Sequence, residues 1–166
     1  MPKPIIAAIN GPCAGLGLCY ALFCDMRFAS REASFTTSFA RRGLIAEHGI
    51  AWTLPRLVGH AAAADLLLSA RKFMAPEALD MGMINRVYAP DELMPATMAY
   101  AKELAEMSSP RSLGVIKRQL WSSQLQGLTE SMDLADHEMG LSLSSEDFKE
   151  GVRHFVEKRA PAFTGR

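Results

Sequence analysis

Short apolar runs alternate with turns of small and polar residues along the first part of the chain. Ile5 to Ile9 is unbroken apolar and ends at Asn10-Gly11-Pro12. This predicts a strand over Pro4 to Ile9, closed by a tight turn. Leu16 to Phe23 is an apolar helical pattern and predicts a helix from about Gly15 to Cys24. Asp25 to Ala29 and Ser34 to Thr37 then resume an extended pattern. Strand, helix and strand at this spacing predict a βαβ-type crossover and the α/β class. Ile50 to Leu57 and Ala61 to Leu68 predict two helices, the first of them short or kinked at Pro55. Ala75 to Gly82 carries proline near its start and glycine near its end, which is helix punctuation. Ile84 to Tyr88 alternates like one more strand.

From Asp91 onward the pattern is helical. One helix runs from an Asp91 cap to about Met107, a second from about Arg111 to Ser122, and a third from Leu128 to Leu143. Ser144-Ser145-Glu146-Asp147 opens a fourth, with Phe148, Val152 and Phe155 at helical spacing and Pro161 as its stop. The chain therefore divides into a mixed α/β part, residues 1–90, and an all-helical part, residues 91–166.

Composition removes several function classes. Eighteen basic residues balance eighteen acidic ones, so nothing points to nucleic acid or an anionic membrane as a partner. The apolar runs are too short to span a bilayer, and Met1-Pro2-Lys3 lacks the apolar core of a secretory signal. Three cysteines, Cys13, Cys19 and Cys24, sit close together with no C-x-x-C pair, which argues against a disulfide framework or a zinc site. They are expected to be small buried apolar residues in a reducing, cytoplasmic setting, with Cys19 raised in pKa by its apolar helix. His60, His137 and His154 show no metal-ligand spacing, and no metal is expected.

Two stretches carry candidate chemistry. The turn before Leu16 leads into a helix N-terminus, where unpaired N–H groups and partial positive charge suit a phosphate, a carboxylate or a developing oxyanion. An ordinary βα turn with glycines for close packing has the same pattern. Arg41-Arg42 fits a phosphate clamp or a solvated loop pair.

Taken together, certain residues carry a resemblance. Lys3-Pro4-Ile5-Ile6-Ala7-Ala8-Ile9-Asn10-Gly11, then Gly15, then Cys24-Asp25 with Arg27, is similar to the signature of the crotonase superfamily, the enoyl-CoA hydratase/isomerase family. The likeness continues through Phe39 to Ile45, Leu54 to Gly59, Ala78 to Val87, Ser145 to Val152 and Phe155 to Arg159. It covers the whole chain in order. It implies the C-terminal part of a spiral of ββα units followed by a helical trimerisation region. It also implies an acyl-CoA thioester substrate, no cofactor beyond the coenzyme A of that substrate, and a homo-oligomer, a trimer or a dimer of trimers.

In that family two backbone N–H groups hold the thioester oxygen as it gains enolate charge. The resemblance places one at Leu16, after Gly15, with Gly15-Leu16 matching the Gly-Leu of peroxisomal-type enoyl-CoA isomerases. It places the other in a segment ahead of the Lys3-Pro4 strand, and the chain is expected to be a fragment, a truncated product or a misassigned start with exposed apolar edges. The two glutamates of a hydratase fall at Cys19 and Phe39, neither of which does such acid–base work. Glu47, in Gly43-Leu44-Ile45-Ala46-Glu47-His48-Gly49, resembles the Gly-Leu-Ile-x-Glu-Gly-Gly segment of the isomerases, whose glutamate is catalytic. His48 stands where isomerases tend to have glycine, and either tunes Glu47 or fills the loop. Phe155 and Lys158 match positions that reach the coenzyme A of a neighbouring subunit. The implied activity is an enoyl-CoA isomerase shifting a 3,4 double bond to the 2,3 position. The alternatives are a hydratase-like enzyme and an inert chain that only associates with partners.

Overall fold

The computed structural model describes residues 1–166 and divides into two units, Ile5–Met98 and Met1–Pro4 with Ala99–Arg166. The fold is mixed α/β, as the apolar pattern requires. None of its helices is long and apolar enough to cross a membrane.

In the first unit the elements run β1 (Ile6–Ile9), β2 (Cys13–Ala14), α1 (Leu16–Phe23), β3 (Met26–Ser30) and β4 (Ser34–Thr36). A single 3-10 turn (Ala40–Arg42) follows, then α2 (Ile50–Ser69), β5 (Phe73–Met74), α3 (Ala75–Asp80) and β6 (Arg86–Tyr88). They form two three-stranded sheets, β1-β3-β6 with parallel pairings, and β2-β4-β5. β1 and β3 lie side by side, Ile6 opposite Met26 and Ile9 opposite Ala29, so the predicted strand–helix–strand crossover is present. β2 runs parallel to β4, and β4 antiparallel to β5. β2 and β5 have two residues each, too few for an alternation of period two to show in the sequence.

One side of α1 enters the core of this unit, while Leu16, Tyr20 and Phe23 stay exposed on the other. Leu18, Cys19, Ala21 and Leu22 are buried in one cluster with Phe35 of β4, Ile50 and Leu54 of α2, and Phe73 of β5. Phe35 and Phe73 sit opposite each other across the β4–β5 pair and stack at 5.5 Å between ring centres. Burying such a ring contributes about 1.5–3 kcal/mol. Arg27 is the charged residue buried in β3. Its Nε donates to the Met83 carbonyl at 2.7 Å and a terminal amine donates to the Cys24 carbonyl. Burial lowers its pKa, and these acceptors compensate the charge in the core.

α2 differs from expectation. The chain stays helical through Pro55 and breaks at Gly59, with φ 78° and ψ 162°. That conformation is open to glycine alone. The two expected helices therefore exist as two segments, and the joint lies at the glycine rather than the proline.

The boundary between units falls within α4 (Leu93–Met107); α5 (Pro110–Ser122), α6 (Leu128–Leu143) and α7 (Glu146–Glu157) follow. Ser109 caps α5 by accepting the Ser112 N–H at 3.1 Å, and Ser145 caps α7 by accepting the Phe148 N–H at 3.1 Å. The tail beyond α7 folds back on the helix. Asp147 accepts the N–H groups of Thr164 at 2.8 Å and Gly165 at 3.0 Å, and the Ser109 hydroxyl donates to it at 2.5 Å. Burial alone would raise the Asp147 carboxyl, but the Ser109 hydroxyl and the tail N–H groups outweigh it and hold the carboxyl below the usual range. Glu150 is held at about 2 by the Arg159 guanidinium and the Ala162 N–H. Helix start, neighbouring cap and tail are thus one charge-assisted hydrogen-bonded unit.

Candidate functional site

The turn after β1 is built to present a helix N-terminus. β2 pairs with β4, and the Gly15 N–H continues the ladder by donating to the Thr36 carbonyl at 3.1 Å. Gly15 then turns through φ 50° and ψ −120°, a region that a side chain forbids. Leu16 is consequently the first residue of α1, and the first intrahelical bond of the helix is Cys19 N–H to the Gly15 carbonyl at 3.1 Å. Helical geometry leaves the Leu16 N–H without an intrahelical acceptor. No side chain caps this end and no acidic residue lies in its first turn, so its partial positive charge is not offset locally.

Glu47 is carried to α1 by the loop between the 3-10 turn and α2. The Cys19 thiol donates to the Glu47 carbonyl at 3.8 Å, and the Ile50 N–H donates to the same carbonyl at 3.1 Å. His48 and Gly49 are both left-handed, φ 51° and 75°, which turns the chain sharply into α2. A Cβ on Gly49 would lie 3.4 Å from Phe23 Cζ, so the loop seats directly on the end of α1. The Glu47 side chain is 35% exposed, and its Oε2 lies 3.7 Å from His48 Nε2.

The two positions matched to hydratase glutamates belong to the same neighbourhood. Phe39 is buried, and its Cε1 lies 4.0 Å from where a Cβ on Gly15 would sit. Cys19 lies one turn below Gly15 and is fully buried. Burial raises its thiol pKa, with the Glu47 charge adding to the rise. Burial also pushes Cys13 up to about 11, with Cys19 and Cys24 contributing. Cys19 therefore acts as a neutral S–H donor rather than a thiolate. Around the turn, Cys19 and Phe39 are apolar or weakly polar, and the Glu47 backbone carbonyl is what packs against α1, through Cys19.

Phe155 and Lys158 lie in the other unit, at the end of α7. Phe155 is 79% exposed, and Lys158 ends the helix in the left-handed conformation with φ 52°. Gly15 and Leu16 open α1, to which the Glu47 carbonyl is joined through Cys19; Phe155 and Lys158 lie three residues apart on the end of α7. Trp52 is half-buried in α2, with the Arg56 guanidinium 4.0 Å over its ring. No group of three His, Cys, Asp or Glu side chains is arranged to hold a metal ion.

Sequence reasoning missed the Cys19–Glu47 contact, which joins the helix carrying Leu16 to the loop carrying the carboxylate. The signal for it was slight: a cysteine replacing a polar residue on an apolar helix. It also left open the surroundings of Arg41-Arg42, which the fold brings near Lys72.

The sequence profile described as enoyl-CoA hydratase/isomerase matches residues 1–166. The chain is 37% identical over 166 residues to the 1,2-epoxyphenylacetyl-CoA isomerase of Escherichia coli, covering 100% of this chain and 63% of that protein. It is 36% identical over 165 residues to a probable enoyl-CoA hydratase of Mycobacterium tuberculosis, covering 98% of this chain and 58% of the relative. The crystal structure of a probable enoyl-CoA hydratase/isomerase from Mycobacterium abscessus superposes with a TM-score of 0.97 at 33% identity. That superposition covers 100% of this chain and 65% of the other. The chain thus spans 58–65% of the length of these relatives.

Proposed function

Since the chain belongs to the enoyl-CoA hydratase/isomerase family, we propose that it acts on acyl-CoA thioesters as an isomerase, moving a double bond from the 3,4 to the 2,3 position. The observation that supports this most is the contact of the Glu47 carbonyl with Cys19 of α1, together with the absence of a carboxylate at positions 19 and 39, which the resemblance matches to the paired glutamates of a hydratase.

In this reading the thioester oxygen accepts a hydrogen bond from the Leu16 N–H. The unoffset positive end of α1 favours charge on that oxygen as it develops. The Glu47 carboxylate removes a proton from C2, and the electron pair moves into a dienolate held at the oxyanion site. The double bond shifts, the proton now on Glu47 passes to C4, and the carboxylate is regenerated. One carboxylate suffices because one proton is taken and the same number returned. Hydration needs more: a positioned water and separate proton transfers to and from it. No cofactor beyond the coenzyme A of the substrate enters. In the same reading Phe155 and Lys158 meet the coenzyme of a neighbouring copy in a homo-oligomer, with Lys158 acting on a phosphate as a point charge.

The single-carboxylate step has a direct test in the intact protein. A 3-enoyl-CoA deuterated at C2 is expected to give 2-enoyl-CoA with part of the label at C4. No label at C4 at the earliest times of turnover, with the abstracted deuteron found in water, would count against its direct return by one carboxylate.

A further inference from the structure

At the end of β4, beside the approach to β5, a second feature gathers charge. A cleft of about 300 Å³ is lined by Thr36, Ser38, Arg41, Arg42, Ala70 and Lys72. Three of these six side chains are cationic and none is acidic. Arg41 Nε donates to the Ser69 carbonyl at 2.8 Å, which fixes the guanidinium plane and leaves its terminal amines for another acceptor. Arg42 and Lys72 are exposed, and neither has a carboxylate within ion-pair distance. Asp65 of α2 and Glu77 of α3 are both occupied by Arg71, at 2.8 and 2.5 Å.

The rim is held in an unusual backbone state. Ser38 and Ala70 are left-handed, φ 62° and 46°, and they are two of the four non-glycine residues in the chain with positive φ. The Thr36 hydroxyl ties them together: it donates to the Ala70 carbonyl at 3.0 Å and accepts the Ser38 N–H at 3.1 Å. Non-glycine residues hold this conformation at a cost, and such strain concentrates at functional sites. Three like charges gathered without a counter-charge repel one another, and a multiply charged anion reverses that sign. Guanidinium forks and an ammonium match the several oxygens of a phosphate group better than a lone carboxylate does.

We infer that this cleft binds a phosphate-class anion, held by Arg41, Arg42 and Lys72. The inference is independent of the isomerase reading, because it uses neither Leu16 nor Glu47. The same chemistry is carried by free inorganic phosphates and by the phosphates of coenzyme A.

Calorimetric titration of the intact protein at fixed ionic strength separates these sources. Inorganic pyrophosphate is titrated into the wild type and into Arg42→Ser, Lys72→Ser and Lys102→Ser, and coenzyme A is titrated into the same four proteins. Lys102 is an exposed cation on α4 paired with Glu106, and controls for net charge. Saturable pyrophosphate binding is expected, weakened about tenfold by Arg42→Ser and by Lys72→Ser and unchanged by Lys102→Ser. Coenzyme A weakened by the same factor identifies its phosphate as the ligand; coenzyme A unaffected identifies a free anion. No saturable pyrophosphate binding, or equal weakening in all three variants, overturns the inference.

Discussion

Glu47→Gln is expected to lower the isomerisation rate of a 3-enoyl-CoA by about 10³-fold while acyl-CoA binding is retained. The amide keeps the size of the side chain and its hydrogen-bonding reach, but it cannot accept a proton from C2. Removing a positioned acid–base group typically costs about 10²–10⁴ in rate. The fold should survive, because the loop is fastened through the Glu47 carbonyl rather than its carboxylate. That carbonyl accepts from the Cys19 thiol and the Ile50 N–H, and neither bond is altered by the substitution. The loss should therefore appear in kcat with little change in KM, the pattern of a group that acts only in the transition state. Steady-state rates with a 3-enoyl-CoA, together with a binding titration of a saturated acyl-CoA, check both halves. Full activity in the variant removes Glu47 from the chemistry.

Leu16→Pro should cost about 10²–10³ in kcat, the typical loss for one oxyanion donor. Proline deletes the N–H and little else at this position. It is favoured at the first residue of a helix, where its fixed φ suits the turn and no intrahelical bond is lost. Gly15 ahead of it has no Cβ, which eases the clash that proline normally makes with the preceding residue. The Leu16 side chain is 43% exposed, so its loss leaves no cavity in the core. Leu16→Ala is the control: it removes the same side chain and keeps the amide, and should retain most of the activity. If Leu16→Pro and Leu16→Ala behave alike and both remain active, this amide does not hold the developing charge.

Much of this framework is legible in the amino-acid order, for identifiable reasons. The apolar run from Leu16 to Phe23 names α1, which buries Leu18, Cys19, Ala21 and Leu22 and leaves Leu16, Tyr20 and Phe23 exposed. Ser145 announces α7 because a hydroxyl accepts the orphan N–H groups of a helix start. The raised pKa of Cys19 follows from its apolar helix, as expected. Other features depend on contacts between distant residues and escape a local reading. β2 exists because β4 lies alongside it, and two residues carry no periodicity of their own. The break in α2 falls at Gly59 because a helix tolerates Pro55 as long as its neighbours stay helical, whereas φ 78° is a property of the glycine. Of the candidate site, Gly15, Leu16 and Glu47 are named by resemblance. The Cys19 thiol that joins their two elements is not, because its meaning lies in what sits 3.8 Å away and 28 positions along the chain. The charge cluster at Arg41, Arg42 and Lys72 is hidden for the same reason: only the close of α2 brings Lys72 to the other two.

The most direct test of the whole account is a pair of initial rates from the intact protein, one with a 3-enoyl-CoA and one with the matching 2-enoyl-CoA in water. The proposed single-carboxylate step at Glu47 predicts conversion of the 3-enoyl thioester to the 2-enoyl thioester, with hydration of the 2-enoyl thioester slower by at least about 10²-fold. Hydration as fast as isomerisation, or faster, would contradict it.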